Sequence, residues 1–351
     1  MKKRMKILVT GASGFIGSFL CEEGLRQGHE VWAGVRRSSS RRYLQDERLK
    51  FAELDFSSPE RLSAQLAIHK QEHAGWDVVI HCAGVTKCPK EEDFERNNYL
   101  YTRHLVEGLL QVGMTPRQFV YLSSLSVFGP IREEVAHADF PHGSACLYAP
   151  ITEHDTPCPN TAYGRSKLRA EQYLQGLGEK LPAVIFRPTG VYGPREKDYF
   201  LMAKSIQGHT DFSVGFRRQE ITFIYVKDLA SAIYRAVQKG VAGRAYFVSD
   251  GGIYESRTFS DLIQRELGNP WVLRIKSPLW LLKLISYVAG WGASIVGKTC
   301  TLNKDKYQIM KQRNWQCDTA PLKQELGWEP QYDLERGVRE TIAWYKQEKW
   351  L

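Results

Sequence analysis

Hydrophobic and polar positions follow two rhythms along this chain, and they take turns. Short apolar, β-branched runs bounded by turn formers predict strands over residues 5–11, 29–35, 51–55, 77–81 and 118–122. Between them, apolar residues recur at helical spacing, predicting helices from about Phe15 to Gly28, over 59–69 and over 92–113. Strands alternating with helices call for a parallel sheet covered on both faces, an α/β doubly wound architecture. The pattern loosens from about residue 130. Residues 131–160 hold Pro141, Pro150, Pro157 and Pro159 among other turn formers and read as one long loop beside a site. Beyond it the rhythm predicts a helix over 162–176 and strands over 183–187, 222–226 and 245–248. Helices over 259–267 and 334–347 complete the series. The expected division is a nucleotide-binding domain over 1–180, with 221–250 and parts of the C-terminus interleaved, and a smaller substrate-capping lobe over most of 181–351.

The first turn carries the first chemistry. Thr10-Gly11-Ala12-Ser13-Gly14-Phe15-Ile16-Gly17 leaves a strand and opens a helix. Gly11 and Gly14 let backbone amides, with Ser13, Phe15 and Ile16, approach a pyrophosphate, and Gly17 lets helix and strand pack closely. This is the dinucleotide-binding context of a Rossmann sheet. About twenty residues on, where an NAD site places Asp or Glu for the ribose hydroxyl, stand Arg36 and Arg37. A guanidinium grips a 2′-phosphate with two parallel hydrogen bonds. NADP(H) is therefore the expected cofactor, with NAD(H) as the lesser possibility; a solvated basic loop is the bland reading. Asp55 and Phe56 are expected against the adenine, and Cys82, Ala83 and Gly84 as a wall of the cofactor site.

Composition changes this picture little. The 351 residues are 43% apolar and 25% charged, ordinary for a globular protein. Met1-Lys2-Lys3-Arg4 leads into an apolar stretch too short for a secretory signal. Seven scattered cysteines without a CxxC pair read as reduced thiols of a cytoplasmic protein, with no metal site expected. The formal charge of +9 is dispersed, which argues against nucleic acid and leaves an anionic cofactor or a membrane surface open.

Tyr163-Gly164-Arg165-Ser166-Lys167 sets a phenol and an ammonium one helical turn apart. A tyrosine titrates near ~10. An adjacent ammonium stabilises the phenolate and suits it to pass a proton to or from an alcohol oxygen. Lys167 can also bond the nicotinamide ribose. Ser123 and Ser124 lie just past the fifth strand, where an open α/β sheet places its site.

The segments TGASGFIG, YLSSLSVFGP, PITEHDTPCPNTAYGRSK, FRPTGVYGPRE and FIYVKDLA together resemble extended short-chain dehydrogenases/reductases over essentially the whole chain. The resemblance implies hydride transfer at nicotinamide C4, with Ser124, Tyr163 and Lys167 as the catalytic serine, tyrosine and lysine. Asn98 resembles the family's supporting asparagine, and Pro188 and Thr189 stand in the cofactor-facing turn. It also suggests a homodimer through the fourth and fifth helices.

Substrate class divides the family. Nucleotide-sugar epimerases resemble R-Y-F-N-V-Y-G-P and R-D-Y-I-H-V, whose asparagine and arginine hold the substrate diphosphate. Here Gly190 and Ile221 occupy those positions, although Arg217 and Arg218 lie close by. The Arg-Pro-Thr-Gly form, Arg36 and the C-terminal third are more similar to the branch of 3β-hydroxysteroid dehydrogenases and dihydroflavonol reductases. The main expectation is an NADP(H)-linked alcohol–ketone oxidoreductase acting on a small lipophilic substrate. The alternatives are a nucleotide-sugar epimerase with tightly held NAD(P) and a non-catalytic NADP-sensing protein. Residues 278–297 are apolar but diluted by Lys283, Ser286 and several glycines. A pocket-lining helix or a weak membrane-surface contact is expected there rather than a span, with a core or dimer-interface helix as the alternative. His137 and His142 read as surface histidines.

Overall fold

The buried apolar runs pair side by side. The computed structural model describes residues 4–134, 148–280, 283 and 304–351. Strands β1 (Lys6–Thr10), β2 (Glu30–Val35), β3 (Lys50–Glu53), β4 (Val78–His81), β5 (Gln118–Leu122) and β6 (Ala183–Pro188) join Arg244–Val248 in one sheet. The order is Arg244–Val248, β6, β5, β4, β1, β2, β3. Every pairing from β6 to β3 is parallel. Almost every residue of β1, β4 and β5 is buried, as a sheet covered on both faces requires. Order reverses beside β1, whose neighbours are β2 and β4, and the register Thr10↔His81 and His81↔Tyr121 aligns the carboxyl ends there. An open sheet binds ligands at such a switch point.

Helices follow the strands. The first, α1 (Phe15–Arg26), leaves the glycine turn, and α2 (Pro59–His73) starts under a Ser58 cap. The expected helix over 92–113 is three pieces instead. These are α3 (Glu91–Phe94), a π-helical turn over Glu95–Leu100, and α4 (Tyr101–Gln111). The wider turn rotates α4 relative to α3 without disturbing the apolar spacing, so the pattern alone hides it. Helix α5 (Ala162–Gly176) carries both Tyr163 and Lys167. Glu171 of α5 pairs with Arg187 of β6 at 2.7 Å, both almost fully buried, which fixes the helix to the sheet. The expected strand over 222–226 is only Phe223–Tyr225, because Val226 already starts the next helix.

The chain divides into two interleaved units. One comprises Met1–Ser124, Arg165–Arg187 and Ala230–Tyr246; the other comprises Leu125–Gly164, Pro188–Leu229 and Phe247–Leu351. The second has its own aromatic core of Tyr192, Phe223, Tyr225, Phe259 and Tyr345. Its outlying ribbon pairs Thr210–Val214 with Leu273–Ser277 in parallel. No described helix is long and apolar enough to cross a membrane. Most of 278–297, with His137 and His142, lies outside the described residues.

Candidate active site

The glycine turn is closed by its own backbone. Gly11 has φ +68°, and a Cβ there would stand 2.7 Å from the Ala83 amide nitrogen. On Gly17 a Cβ would lie 2.1 Å from Gly11 O, so only glycine lets α1 meet β1 this closely. Gly14 caps α1 in an extended conformation with no side chain bonded across the helix end, and the first turn holds no acidic residue. The helix terminus therefore keeps its positive potential and amide donors for an anion. Ser13, Phe15 and Ile16 surround it, Phe15 and Ile16 half-buried. These features fit a dinucleotide pyrophosphate. Arg36 and Arg37 lie exposed immediately past β2, where Ser39 Oγ accepts from the Arg36 amide at 3.0 Å. Asp55 is half-buried, its carboxylate held below the usual range chiefly by hydrogen bonds from Ser57. Phe56 turns into the core, with its ring 6.0 Å from that of His81.

Past β4, Cys82 and Ala83 are half-buried and Gly84 is exposed. A Cβ on Gly84 would approach Asn98 Oδ1 to 2.8 Å and Lys167 Nζ to 3.2 Å. Gly84 thus makes room for two of the expected site residues. Asn98 sits inside the π-helical turn and is fully buried. Its Oδ1 accepts from the Val85 amide at 2.8 Å, and its Nδ2 donates to Val85 O and Ser166 Oγ, each at 3.0 Å. π-Helical turns are frequent at functional sites.

Lys167 is 5% exposed. Its ammonium donates to Leu122 O, the last carbonyl of β5, at 2.8 Å and lies 4.9 Å from the Tyr121 ring centroid. Burial pulls its pKa down to about 8. Ser124, half-buried, follows β5 by two residues, and the hydroxyl of its neighbour Ser123 is buried with no partner among the described residues. Tyr163 is half-buried in the first turn of α5, one turn ahead of Lys167. Pro188 ends β6, and Thr189 follows with its amide bonded to Val248 O at 3.1 Å.

Two residues of this constellation escape a reading by motif. Ser166 is the link between Asn98 and the helix of Lys167, and its hydroxyl one place before the lysine is the only signal for it. His81, fully buried, joins Thr10 Oγ1 at 2.7 Å to Thr102 Oγ1 at 2.9 Å. Burial first, and the Lys167 charge second, push its pKa to about 3, so the bridge is neutral. No described group of three His, Cys, Asp or Glu side chains is set to hold a metal ion.

The positions set apart by the epimerase motifs are also defined. A Cβ on Gly190 would lie 2.9 Å from Tyr199 Oη and 3.1 Å from Phe223, so the space is closed to any side chain without rearrangement. Ile221 packs against the aromatic core, and Arg218 is engaged by Glu220 at 3.3 Å and Glu255 at 3.5 Å.

Known proteins are similar to this chain along nearly its whole length. The UDP-glucose 4-epimerase of Vibrio cholerae is 24% identical over 99% of this chain and 97% of its own. The GDP-6-deoxy-D-mannose reductase of Pseudomonas aeruginosa is 26% identical over 96% of each. In structure, the dTDP-glucose 4,6-dehydratase of Streptomyces venezuelae, solved with NAD, matches 98% of both chains with a TM-score of 0.76 at 20% identity. The model of the NAD dependent epimerase/dehydratase family matches residues 7–249, well over half the chain. With the glycine turn, the parallel sheet and the Tyr163–Lys167 helix in place, this chain belongs to the NAD-dependent epimerase/dehydratase family and is an NAD(P)-dependent enzyme of the extended short-chain dehydrogenase/reductase type.

Proposed function

We propose that the chain interconverts an alcohol and a ketone on the sugar of a nucleotide sugar, as an epimerase that keeps its cofactor through the cycle. A bound nicotinamide nucleotide supplies a hydride acceptor and donor. The chain's own residues manage the oxygen. Ser124 donates a hydrogen bond to the reacting oxygen, and Tyr163 takes its proton on oxidation and returns it on reduction. Lys167 stabilises the phenolate and holds the nicotinamide ribose. Asn98, through Ser166, steadies the helix that bears them. Gly11, Gly14 and the α1 terminus hold the pyrophosphate, and Arg36 with Arg37 take a 2′-phosphate, which makes NADP(H) the preferred form. The observation that carries the reading is the buried Lys167 ammonium on Leu122 O, one turn from Tyr163. Burial costs the ammonium its hydration, a cost that a role in the site would explain. The sugar-nucleotide class is supported by the curated relatives, which act on UDP- and GDP-linked sugars by name.

A second reading has its own support. Gly190 is closed by Tyr199 and Phe223, Ile221 packs against the aromatic core, and Arg218 is already paired. A buried diphosphate needs donors of that kind. Their replacement favours a small lipophilic hydroxyl or ketone substrate. One experiment separates the two. The purified protein is assayed for tightly bound cofactor and for UDP-glucose/UDP-galactose interconversion, then with NADPH and NADH on hydroxy- and oxosteroids and flavonoid-like ketones. Retained cofactor with sugar interconversion supports the epimerase. Free exchange with NADPH-driven ketone reduction overturns it in favour of the second reading. In either case Tyr163→Phe is expected to abolish turnover while leaving NADPH binding nearly intact.

A further inference from the structure

Three buried side-chain amides on the strip Gln312–Gln316 hold main-chain carbonyls at Gly129, Arg132, Tyr148 and Ala149, which precede Tyr163 in the chain. Gln312, Asn314 and Gln316 are 2%, 0% and 3% exposed. The Gln312 amide donates to Gly129 O at 3.0 Å. The Asn314 amide donates to Arg132 O at 3.0 Å and to Ala149 O at 2.9 Å. The Gln316 amide donates to Tyr148 O at 3.1 Å and to the Glu220 carboxylate. Main-chain bonds follow the same line: the Ile151 amide donates to Gln316 O at 3.0 Å, and the Asp318 amide to Ile151 O at 2.8 Å. Glu220, wholly buried, also accepts from the Tyr148 amide at 3.2 Å and faces Arg218 at 3.3 Å.

These groups would be a costly way to fill a core. Each buried amide and carboxylate loses water, and an apolar strip of the same volume would pack without that loss. What hydrogen bonds supply and apolar contact does not is register, because each one fixes a particular backbone atom. Here the fixed atoms belong to 129–132 and 148–151, within the same unit as Tyr163. The line ends at Tyr163 itself. Asp305 accepts from the Tyr163 backbone amide at 3.1 Å, across 142 positions of sequence. That amide is one of the first-turn donors a helix leaves unbonded. Thr161 caps the next one, on Gly164, locally at 2.9 Å. The amide of Tyr163 is instead held by the C-terminal third of the chain.

We infer that Asp305 and the Gln312–Asn314–Gln316 strip are positioning residues for Tyr163, tying its place on α5 to the C-terminal third. This rests on reading Tyr163 as the proton-transfer group. On that reading a phenol one helical turn ahead of a buried ammonium is expected to titrate below the ordinary value near ~10, and displacing it should bring the value back.

The test needs no substrate. Tyrosinate absorbance is titrated in the full-length protein and in Tyr163→Phe, and the difference isolates this one phenol. The unmodified protein should show a step below ~10 that Tyr163→Phe lacks. Asp305→Ala and Asn314→Ala should each raise that step by on the order of one pH unit. Asp305→Asn keeps an acceptor oxygen and should largely restore it. A step unmoved by Asp305→Ala and Asn314→Ala overturns the inference. So does a shift as large in Asp305→Asn as in Asp305→Ala, since that marks general loosening rather than a lost bond. If Asn314→Ala does not fold, the Asp305 pair decides alone. No low step in the unmodified protein would instead sink the reading of Tyr163 and leave the strip a structural feature.

Discussion

Lys167 shows how burying one charge can oppose stability. Its ammonium is buried against Leu122 O and the Tyr121 ring, and burial lowers its pKa from 10.5 to about 8. A base whose folded pKa is depressed binds fewer protons folded than unfolded between those values. Stability on its account is therefore lower at pH 8 and below than at pH 10.5, because the charged form is carried in the fold at a cost. Lys167→Met should then leave the cofactor-free protein as stable at pH 7 or more so, while turnover collapses. Thermal melts at pH 7 and pH 10 check this; a large loss of stability in Lys167→Met would mean that the ammonium holds the fold. The pair Tyr163 and Lys167 was legible in the sequence because a four-residue spacing is a statement about one helix face. His81 was legible only as the end of a strand. Its role depends on Thr10 and Thr102, which become neighbours only once β1, β4 and α4 are assembled.

At the level of elements, glycines were legible where they begin a helix and the π-helical turn was not. The contact between α1 and β1 hangs on Gly17, whose Cβ would meet Gly11 O at 2.1 Å, whereas a Cβ on Gly14 would meet the same oxygen at a bearable 3.2 Å. Gly17→Ala should cost on the order of 2 kcal/mol, as overpacking against backbone does, and weaken NADPH binding with it. Gly14→Ala should cost far less stability. Urea unfolding of the two variants decides, and equal losses would show that the turn as a whole, not the packing at Gly17, sets the cost. The π-helical turn over Glu95–Leu100 has no such signature. One extra residue in a turn leaves apolar residues spaced much as before, so the sequence predicts a single helix. Yet that turn carries Asn98 inward to Val85 and Ser166.

Over the whole molecule, the chain crosses between its two units repeatedly. Strand-and-helix rhythm reveals order along the chain but not which segments share a core. The crossing at 164/165 falls inside α5, where the local pattern does not change. Global stability offers a measurable consequence of how deeply the sheet is buried. The pKa of His81 falls from 6.5 to about 3, through burial and then through the nearby Lys167 charge. Between those values the unfolded chain binds a proton that the folded chain refuses. Stability is therefore lost as pH falls from 6.5 towards 3, by up to about 1.4 kcal/mol per pH unit from this one group. Buried His69, lowered to about 4, acts in the same direction, whereas Asp250, raised to about 6, acts in the opposite one. The His81 share is isolated by difference. Urea unfolding of the unmodified protein and of His81→Asn at pH 7, 6, 5 and 4 should give curves that converge as pH falls. Asparagine keeps a donor and an acceptor for Thr10 and Thr102 without a group to titrate, so parallel curves would mean that His81 takes up its proton in the fold.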